Sequence, residues 1–332
     1  MNTASSLTDT HGRVVRDLRI SVTDRCNLRC VYCMPAEGMP WLPKDDLLTY
    51  EEISRFARVS LSMGVTGIRL TGGEPTVRAD LPKLVAMLNA LQPGLDLSLT
   101  TNGLKLVAMA EELRDAGLKR VNVSLDSLDP VRFHRLARRD RHAQVLEGLE
   151  AARRVGFTPI KVNAVLMRGF NEDEAVPLAR WARHQGYELR FIEWMPLDAQ
   201  HGWSREKLVP ADEILSQIGA EFPIELAPGA DPSAPATLYR YLDGGGQVGV
   251  IASVTRPFCG HCDRIRLTAD GQIRTCLFSL KEYDFRNAMR AGASDEEIAR
   301  LLTAAVWRKE PGHLINSPFF KQPERGMSAI GG

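Results

Sequence analysis

One segment near the amino terminus reads Leu18-Arg19-Ile20-Ser21-Val22-Thr23, with apolar and polar side chains in strict alternation. Because successive side chains of a strand point to opposite faces, this pattern predicts a strand with one packed face and one polar face. Five more such segments follow, at residues 67–71, 95–101, 120–125, 160–166 and 188–194. Helical patterns separate them, among others at residues 50–63, 104–116 and 143–155. This βα repeat predicts six parallel strands joined by crossover helices.

The polar positions of the predicted strands share one face of the sheet, with Arg19, Arg69, Ser124 and Lys161 among them. A closed eight-stranded barrel fills its interior with branched apolar side chains. Six strands with a polar inner face therefore predict an α/β fold, an incomplete (β/α)6 barrel around a ligand cavity. The chemistry of such barrels lies in the loops that follow the strand ends.

The βα rhythm ends after Trp194, and a stretch rich in proline and glycine at residues 227–235 predicts a loop. We therefore predict a partial barrel over residues 12–225. A second region over residues 226–332 carries three further cysteines and ends in Gly331-Gly332.

The balance of charge limits the classes of function. Lys+Arg 42 against Asp+Glu 41 leaves a formal net charge of +1 on 332 residues, so the chain has no overall basic field for nucleic acid. An anionic ligand must be held by a local group of arginines and lysines. The sequence shows no membrane span and no secretory signal, and its cysteines form two odd-numbered sets, which predicts a reducing cytoplasm.

The six cysteines form two sets of three: Cys26, Cys30 and Cys33, then Cys259, Cys262 and Cys276. A structural zinc site takes four protein ligands, whereas three thiolates on a four-iron cluster leave one iron open to a ligand. The close spacing of the first set indicates such a reactive cluster, and the alternative, a zinc knuckle completed by histidine or water, is disfavoured once the glycine-rich turn that follows the second strand is counted as well. For the second set the spacing leaves open a zinc site with His261 or His313 as fourth ligand.

A glycine-rich turn, Gly72-Gly73-Glu74-Pro75, follows the second predicted strand. Together with Cys26-x3-Cys30-x2-Cys33 after the first strand, it makes the chain resemble the radical S-adenosylmethionine enzymes. The resemblance implies a [4Fe-4S] cluster at the first triad, whose open iron binds S-adenosyl-L-methionine. It also implies contacts to this cofactor from Tyr32, Gly73, Ser124 and Met195.

Within that superfamily the chain resembles the GTP 3′,8-cyclases of molybdenum-cofactor biosynthesis from about residue 12 to residue 332. The resemblance rests on residues 17–26, 100–103, 122–126, 190–196 and 258–267 and on the terminal Gly-Gly. It implies a second [4Fe-4S] cluster on Cys259, Cys262 and Cys276, which leaves one iron for the guanine of GTP. His261 is then not a ligand.

The resemblance further implies how the substrate is held. The expected GTP contacts are Arg19, Arg69, Thr100, Lys161, Arg264 and Arg266. The expected catalytic residues are Arg264, Arg266, Gly331 and Gly332, with the carboxy-terminal tail entering the active site. From the residues alone, a barrel arginine could equally form a structural ion pair with a carboxylate such as Glu74, Asp96 or Asp126.

The expected activity is the conversion of GTP to (8S)-3′,8-cyclo-7,8-dihydroguanosine 5′-triphosphate through a 5′-deoxyadenosyl radical. Two alternatives are a radical enzyme that modifies peptides or proteins, and a zinc-binding protein without catalysis. The resemblance implies a downstream cyclic pyranopterin monophosphate synthase as the recipient of the product, and it alone implies a homodimer. No segment identifies the electron donor.

Overall fold

A computed structural model describes residues 6–229 and 231–331 of the chain. The strands in these residues are β1 (Asp17–Ser21), β2 (Gly67–Thr71), β3 (Asp96–Thr101), β4 (Arg120–Ser124), β5 (Ile160–Leu166), β6 (Glu188–Glu193), β7 (Ile224–Leu226), β8 (Thr237–Tyr241), β9 (Gln247–Ile251), β10 (Arg264–Leu267), β11 (Gln272–Arg274) and β12 (Tyr283–Asp284). The helices are α1 (Tyr50–Ser62), α2 (Leu81–Asn89), α3 (Leu106–Asp115), α4 (Pro130–Ala137), α5 (His142–Arg154), α6 (Ala175–Gln185), α7 (Ala211–Glu221), α8 (Arg286–Arg290), α9 (Asp295–Trp307) and α10 (Met327–Ile330).

The strands form one sheet in the order β12-β11-β10-β1-β2-β3-β4-β5-β6-β9-β8-β7. β1 to β6 are parallel neighbours, as the βα repeat predicts. Within the described residues the edge strands β7 and β12 do not pair with each other, so the sheet stays open. The incomplete (β/α)6 barrel is therefore confirmed.

Two strands from the second region extend the parallel sheet. β10 pairs in parallel with β1, and β9 pairs in parallel with β6. The antiparallel strands β11 and β12 continue one side, and β8 and β7 continue the other. The predicted boundary between residues 225 and 226 falls inside β7. The division into two regions stays a prediction, and both regions contribute strands to the same sheet.

The outer face of the barrel packs against the helices. Leu18 and Ile20 of β1 are fully buried in the same apolar core as Ile53 and Phe56 of α1. Each such side chain contributes about 1.5–3 kcal/mol of hydrophobic stabilisation. A capping box starts α1, because the Thr49 side chain accepts from the N–H of Glu52 and the Glu52 carboxylate accepts from the N–H of Thr49. Because the apolar side chains of the strands pack outward against the helices, the polar side chains that alternate with them face the inside of the barrel.

The helices can be compared with a membrane span in length and hydropathy. Among the described residues, none of them has both the length and the hydropathy that a bilayer crossing requires.

Candidate active site

The polar face of the sheet encloses a cavity of about 310 Å³. All six cysteines line this cavity: Cys26, Cys30, Cys33, Cys259, Cys262 and Cys276. The barrel contributes Arg19, Arg69 and Thr100, and the second region contributes Arg264 and Arg266. One cavity thus joins two cysteine triads with a group of cations.

The first triad lies in the loop that follows β1, where backbone hydrogen bonds fix the chain. The N–H of Arg29 donates to the carbonyl of Ala137 at 3.0 Å, and that of Val31 donates to Leu136 at 2.9 Å. Burial raises the pKa of Cys33 to about 12, and the charge of Cys26 adds to this. The raised pKa means that forming the thiolate costs free energy at this buried position. A bound metal cluster offsets this cost, because its positive charge stabilises thiolates. The three free, partly buried thiols therefore have the donor chemistry that an iron–sulfur cluster needs.

The glycine-rich turn packs directly on the cysteine loop. The N–H of Gly73 donates to Thr23 and that of Glu74 donates to Arg25, both at 2.7 Å. A Cβ on Gly72 would lie 2.6 Å from the Thr23 carbonyl oxygen, and one on Gly73 would overlap backbone oxygens of the loop. The two glycines are thus required by backbone packing against the triad, a reason that the sequence did not reveal.

The four predicted contacts to S-adenosylmethionine all line the cavity: Tyr32, Gly73, Ser124 and Met195. The Tyr32 hydroxyl donates to Asp126 Oδ2 at 2.7 Å, and the other oxygen of Asp126 accepts from the N–H of Val165 at 2.8 Å. Burial raises the pKa of Asp126 to about 6. This network fixes the Tyr32 ring beside the triad, and the role of the four residues as cofactor contacts stays a prediction.

Two barrel arginines carry charge that the described residues barely compensate. The Nε atoms of Arg19 and Arg69 are buried without a hydrogen-bond partner. The Nε atom of Arg19 lies 3.9 Å from Asp17 Oδ2. No carboxylate of the described residues pairs with Arg69. Burial, followed by the charge of Arg19, lowers the pKa of Arg69 to about 9. Such a pair of cations has the charge and the free donors that binding an anion requires.

Structural ion pairs to Glu74, Asp96 or Asp126 were the alternative for these arginines. The Glu74 carboxylate instead accepts from the Thr101 hydroxyl at 2.7 Å and from the N–H of Asn102 at 2.6 Å. Asp96 pairs with Arg120, and Asp126 accepts from Tyr32 and Val165. Among the described residues, Arg19 and Arg69 thus pair with none of these three carboxylates, and Arg19 keeps an ion pair of 3.9 Å with Asp17.

Lys161 differs from the other predicted GTP contacts, because Arg19, Arg69, Thr100, Arg264 and Arg266 line the cavity and Lys161 does not. Its Nζ lies 3.8 Å from Glu188 Oε1, beside the amino ends of β5 and β6. Burial, then the charge of Arg190, lowers the pKa of Lys161 to about 8. Its assignment as a GTP contact stays a prediction.

The hairpin of β10 and β11 assembles the second triad. Cys259 and Cys262 precede β10, and Cys276 follows β11. Burial raises the pKa of Cys276 to about 11. Burial also acts on Cys262, but there the charges of Lys309 and Arg264 prevail and the pKa falls. His261 is exposed, whereas His313 lines the cavity.

The carboxy-terminal tail enters the cavity, which Met327 and Ser328 help to line. The Arg266 guanidinium donates to the carbonyl of Gly331. Burial and the charges of Arg19 and Arg264 lower the pKa of Arg266. Gly331 has a φ of 86°, and a Cβ there would lie 2.7 Å from Thr71 Oγ1. Gly332 lies outside the described residues, and the catalytic roles of the tail and the two arginines stay predictions.

Sequence reasoning missed two residues that bear on this site. Arg190 of β6 lines the cavity and pairs with Glu188 at 2.6 Å. Its place on the polar face of the predicted strand was a usable signal. Lys309 is buried behind the second triad, and no periodic pattern in the sequence indicates it.

The fold and the two triads define a radical S-adenosylmethionine enzyme. The model of the radical SAM superfamily matches residues 20–182, and that of Molybdenum Cofactor Synthesis C matches residues 187–315. Such an enzyme uses a [4Fe-4S] cluster and S-adenosylmethionine. Streptococcus suis SuiB bound to S-adenosylmethionine shares the fold, with a TM-score of 0.59 at 12% identity over 96% of this chain and 76% of that chain.

Two relatives are much closer in sequence. The chain is 56% identical to the GTP 3′,8-cyclase of Streptomyces coelicolor, over 99% of this chain and 97% of the relative. It is 53% identical to the GTP 3′,8-cyclase of Mycolicibacterium smegmatis, over 98% of this chain and 92% of the relative. The chain belongs to the GTP 3′,8-cyclase family. This membership rules out the peptide-modifying enzyme and the zinc protein without catalysis.

Proposed function

We propose that the chain converts GTP to (8S)-3′,8-cyclo-7,8-dihydroguanosine 5′-triphosphate in molybdenum-cofactor biosynthesis, with two [4Fe-4S] clusters and S-adenosylmethionine. One observation carries the proposal: two cysteine triads and a group of incompletely paired arginines line a single cavity. A radical made from one ligand can attack a second ligand only when both lie in contact, shielded from water.

The first triad and its surroundings bind the cofactor. When bound there, the cluster supplies the electron that cleaves S-adenosylmethionine to methionine and the 5′-deoxyadenosyl radical. Tyr32, Gly73, Ser124 and Met195 hold the cofactor against Cys26, Cys30 and Cys33. The hydrogen bond from Tyr32 to Asp126 ties the cysteine loop to the segment that follows β4.

The cations bind the substrate. Arg19 and Arg69 take the triphosphate, helped by Arg264 and Arg266 and by the Thr100 hydroxyl. Lys161 belongs to this set on the family resemblance, and its release from Glu188 would be needed. Each charge-assisted bond contributes about 1.5–3 kcal/mol. GTP held this way presents ribose C3′ for hydrogen abstraction and guanine C8 for the new bond.

The second triad would hold the other cluster, whose open iron would bind guanine. Cys259, Cys262 and Cys276 are its ligands, and exposed His261 is not. Arg264, Arg266, Gly331 and Gly332 act in catalysis, since the tail carbonyl at Gly331 fixes Arg266 inside the cavity. The product then passes to a cyclic pyranopterin monophosphate synthase in a reducing cytoplasm. The homodimer implied by the resemblance stays a prediction.

Anaerobic purification tests the proposal. We expect a brown protein with about eight irons per chain, as two four-iron clusters require, and conversion of GTP when S-adenosylmethionine and a reductant are added. About four irons with one zinc would contradict the second cluster and leave the first intact. A colourless protein with two zincs would contradict both.

A further inference from the structure

Lys309 is a buried cation between the two chain segments that carry the second triad. It follows α9 and is 3% exposed. Its Nζ donates to the carbonyl of Arg264 at 2.7 Å and to that of Thr275. Arg264 lies two residues after Cys262, and Thr275 directly precedes Cys276. The ammonium group therefore bridges the first residue of β10 and the residue that follows β11, next to these two cysteines.

No acidic side chain of the described residues lies within ion-pair distance of this ammonium group. The neighbouring carboxylate of Glu310 is directed elsewhere, to the hydroxyls of Thr275, at 2.8 Å, and Ser279. Two carbonyl oxygens satisfy hydrogen bonds of Lys309 but carry no net charge. A desolvated cation without an anion is costly, so the fold must supply its counter-charge in another form.

The chain around Lys309 is fixed against the triad. Arg13 donates to the carbonyls of Cys259 at 2.8 Å and Pro311 at 3.0 Å, and its Nε pairs with the buried carboxylate of Asp9. A Cβ on Gly312 would lie 2.9 Å from the Cβ of Cys259. This close packing holds residues 309–312 in place, so the ammonium group has little freedom to move to solvent.

We propose that Lys309 is the counter-cation of the second iron–sulfur cluster, an inference that rests on the function proposed above. Three thiolates contribute three negative charges and an oxidised four-iron core contributes two positive charges, so the site is negative and becomes more so on reduction. A buried positive charge stabilises the more negative state. Lys309 therefore raises the reduction potential of this cluster and adds to its retention.

The test uses the full chain with Cys26, Cys30 and Cys33 replaced by alanine, so that only the second cluster remains. In this background we compare Lys309→Met, Lys309→Arg and exposed Lys321→Met after anaerobic reconstitution. We measure iron content and the midpoint potential by titration followed with electron paramagnetic resonance. Lys309→Met should make reduction at least tenfold less favourable, about 59 mV for a one-electron couple. Lys309→Arg and Lys321→Met should keep the parent potential.

Each other outcome has a defined meaning. Loss of iron from Lys309→Met with retention in Lys309→Arg supports the counter-cation, because arginine shares the positive charge of lysine but not its shape. Loss from both variants, or an unchanged potential in Lys309→Met, overturns it and leaves Lys309 a brace between two carbonyls. A parent background without about four irons refutes the second cluster itself, which separates failure of the proposed function from failure of this inference.

Discussion

The two cysteine triads face one cavity, yet different parts of the chain build them. The first lies within eight consecutive residues, Cys26 to Cys33, after a single strand. The second spans Cys259 to Cys276 and depends on a hairpin, on Arg13 from the amino terminus and on residues 309–312. The first site is thus a local motif, whereas the second site requires segments from both ends of the chain.

The surroundings of the triads also differ in charge. The negative charge of Asp126 helps raise the pKa of Cys30 in the first triad, after burial, and Glu74 acts likewise on Cys26. In the second, Lys309 and Arg264 lower the pKa of Cys262 against the effect of burial. Nearby positive charge stabilises thiolates and reduced clusters. The first triad therefore lies beside negative charge and the second beside positive charge.

The largest expected effect separates the two triads by function. Cys30→Ala should abolish cleavage of S-adenosylmethionine, because the cluster loses a ligand at the site of electron transfer. Cys276→Ala should keep some uncoupled cleavage and lose GTP cyclisation. We would measure 5′-deoxyadenosine and cyclised nucleotide in the same anaerobic assay, each variant serving as control for the other. Undiminished cyclisation by Cys276→Ala would remove the second triad from the reaction.

The next effect concerns the cations between the triads. Arg69→Ala should weaken GTP binding about 10- to 150-fold, the equivalent of one charge-assisted contact, and leave S-adenosylmethionine binding nearly unchanged. Arg132→Ala is the matched control, since Arg132 pairs with Asp173 on the surface. Equilibrium binding of both ligands provides the measurement. An equal loss for the two ligands would indicate a structural arginine.

The smallest of the three effects concerns the tail, which links both sites. Gly331→Ala should cut GTP cyclisation at least about tenfold, or about 1.4 kcal/mol of barrier, with unchanged iron content. Its Cβ would overlap Thr71 and displace the carbonyl that holds Arg266. Gly292→Ala is the control, because Gly292 has a similar φ of 87° with open space around it. If the two substitutions had equal effects, the loss would come from backbone strain at a positive φ, and the proposed role of the tail in catalysis would be wrong.

The sequence predicted the parts of this architecture that local patterns determine. Alternation located β1 to β6, and spacing located the first triad. Alternation also placed Arg69 and Lys161 on one face. It does not show how far along the barrel axis a side chain lies, so it could not show that Lys161 lies beside Glu188, outside the cavity lining. It could not reveal that β9 and β10 return to flank β6 and β1, because such pairing joins residues as distant as Asp17 and Arg264.

That late pairing has a consequence for the nascent chain on the ribosome. β1 to β6 are complete once Glu193 has been synthesised, but β1 and β6 then lack the neighbours that β10 and β9 later provide. Unpaired strand edges are templates for association with other chains, and pairing between distant residues forms slowly. The half-made barrel therefore exposes two strand edges that the complete protein covers. A chain truncated before β9 would lack both β9 and β10, so these edges of β6 and β1 would stay unpaired.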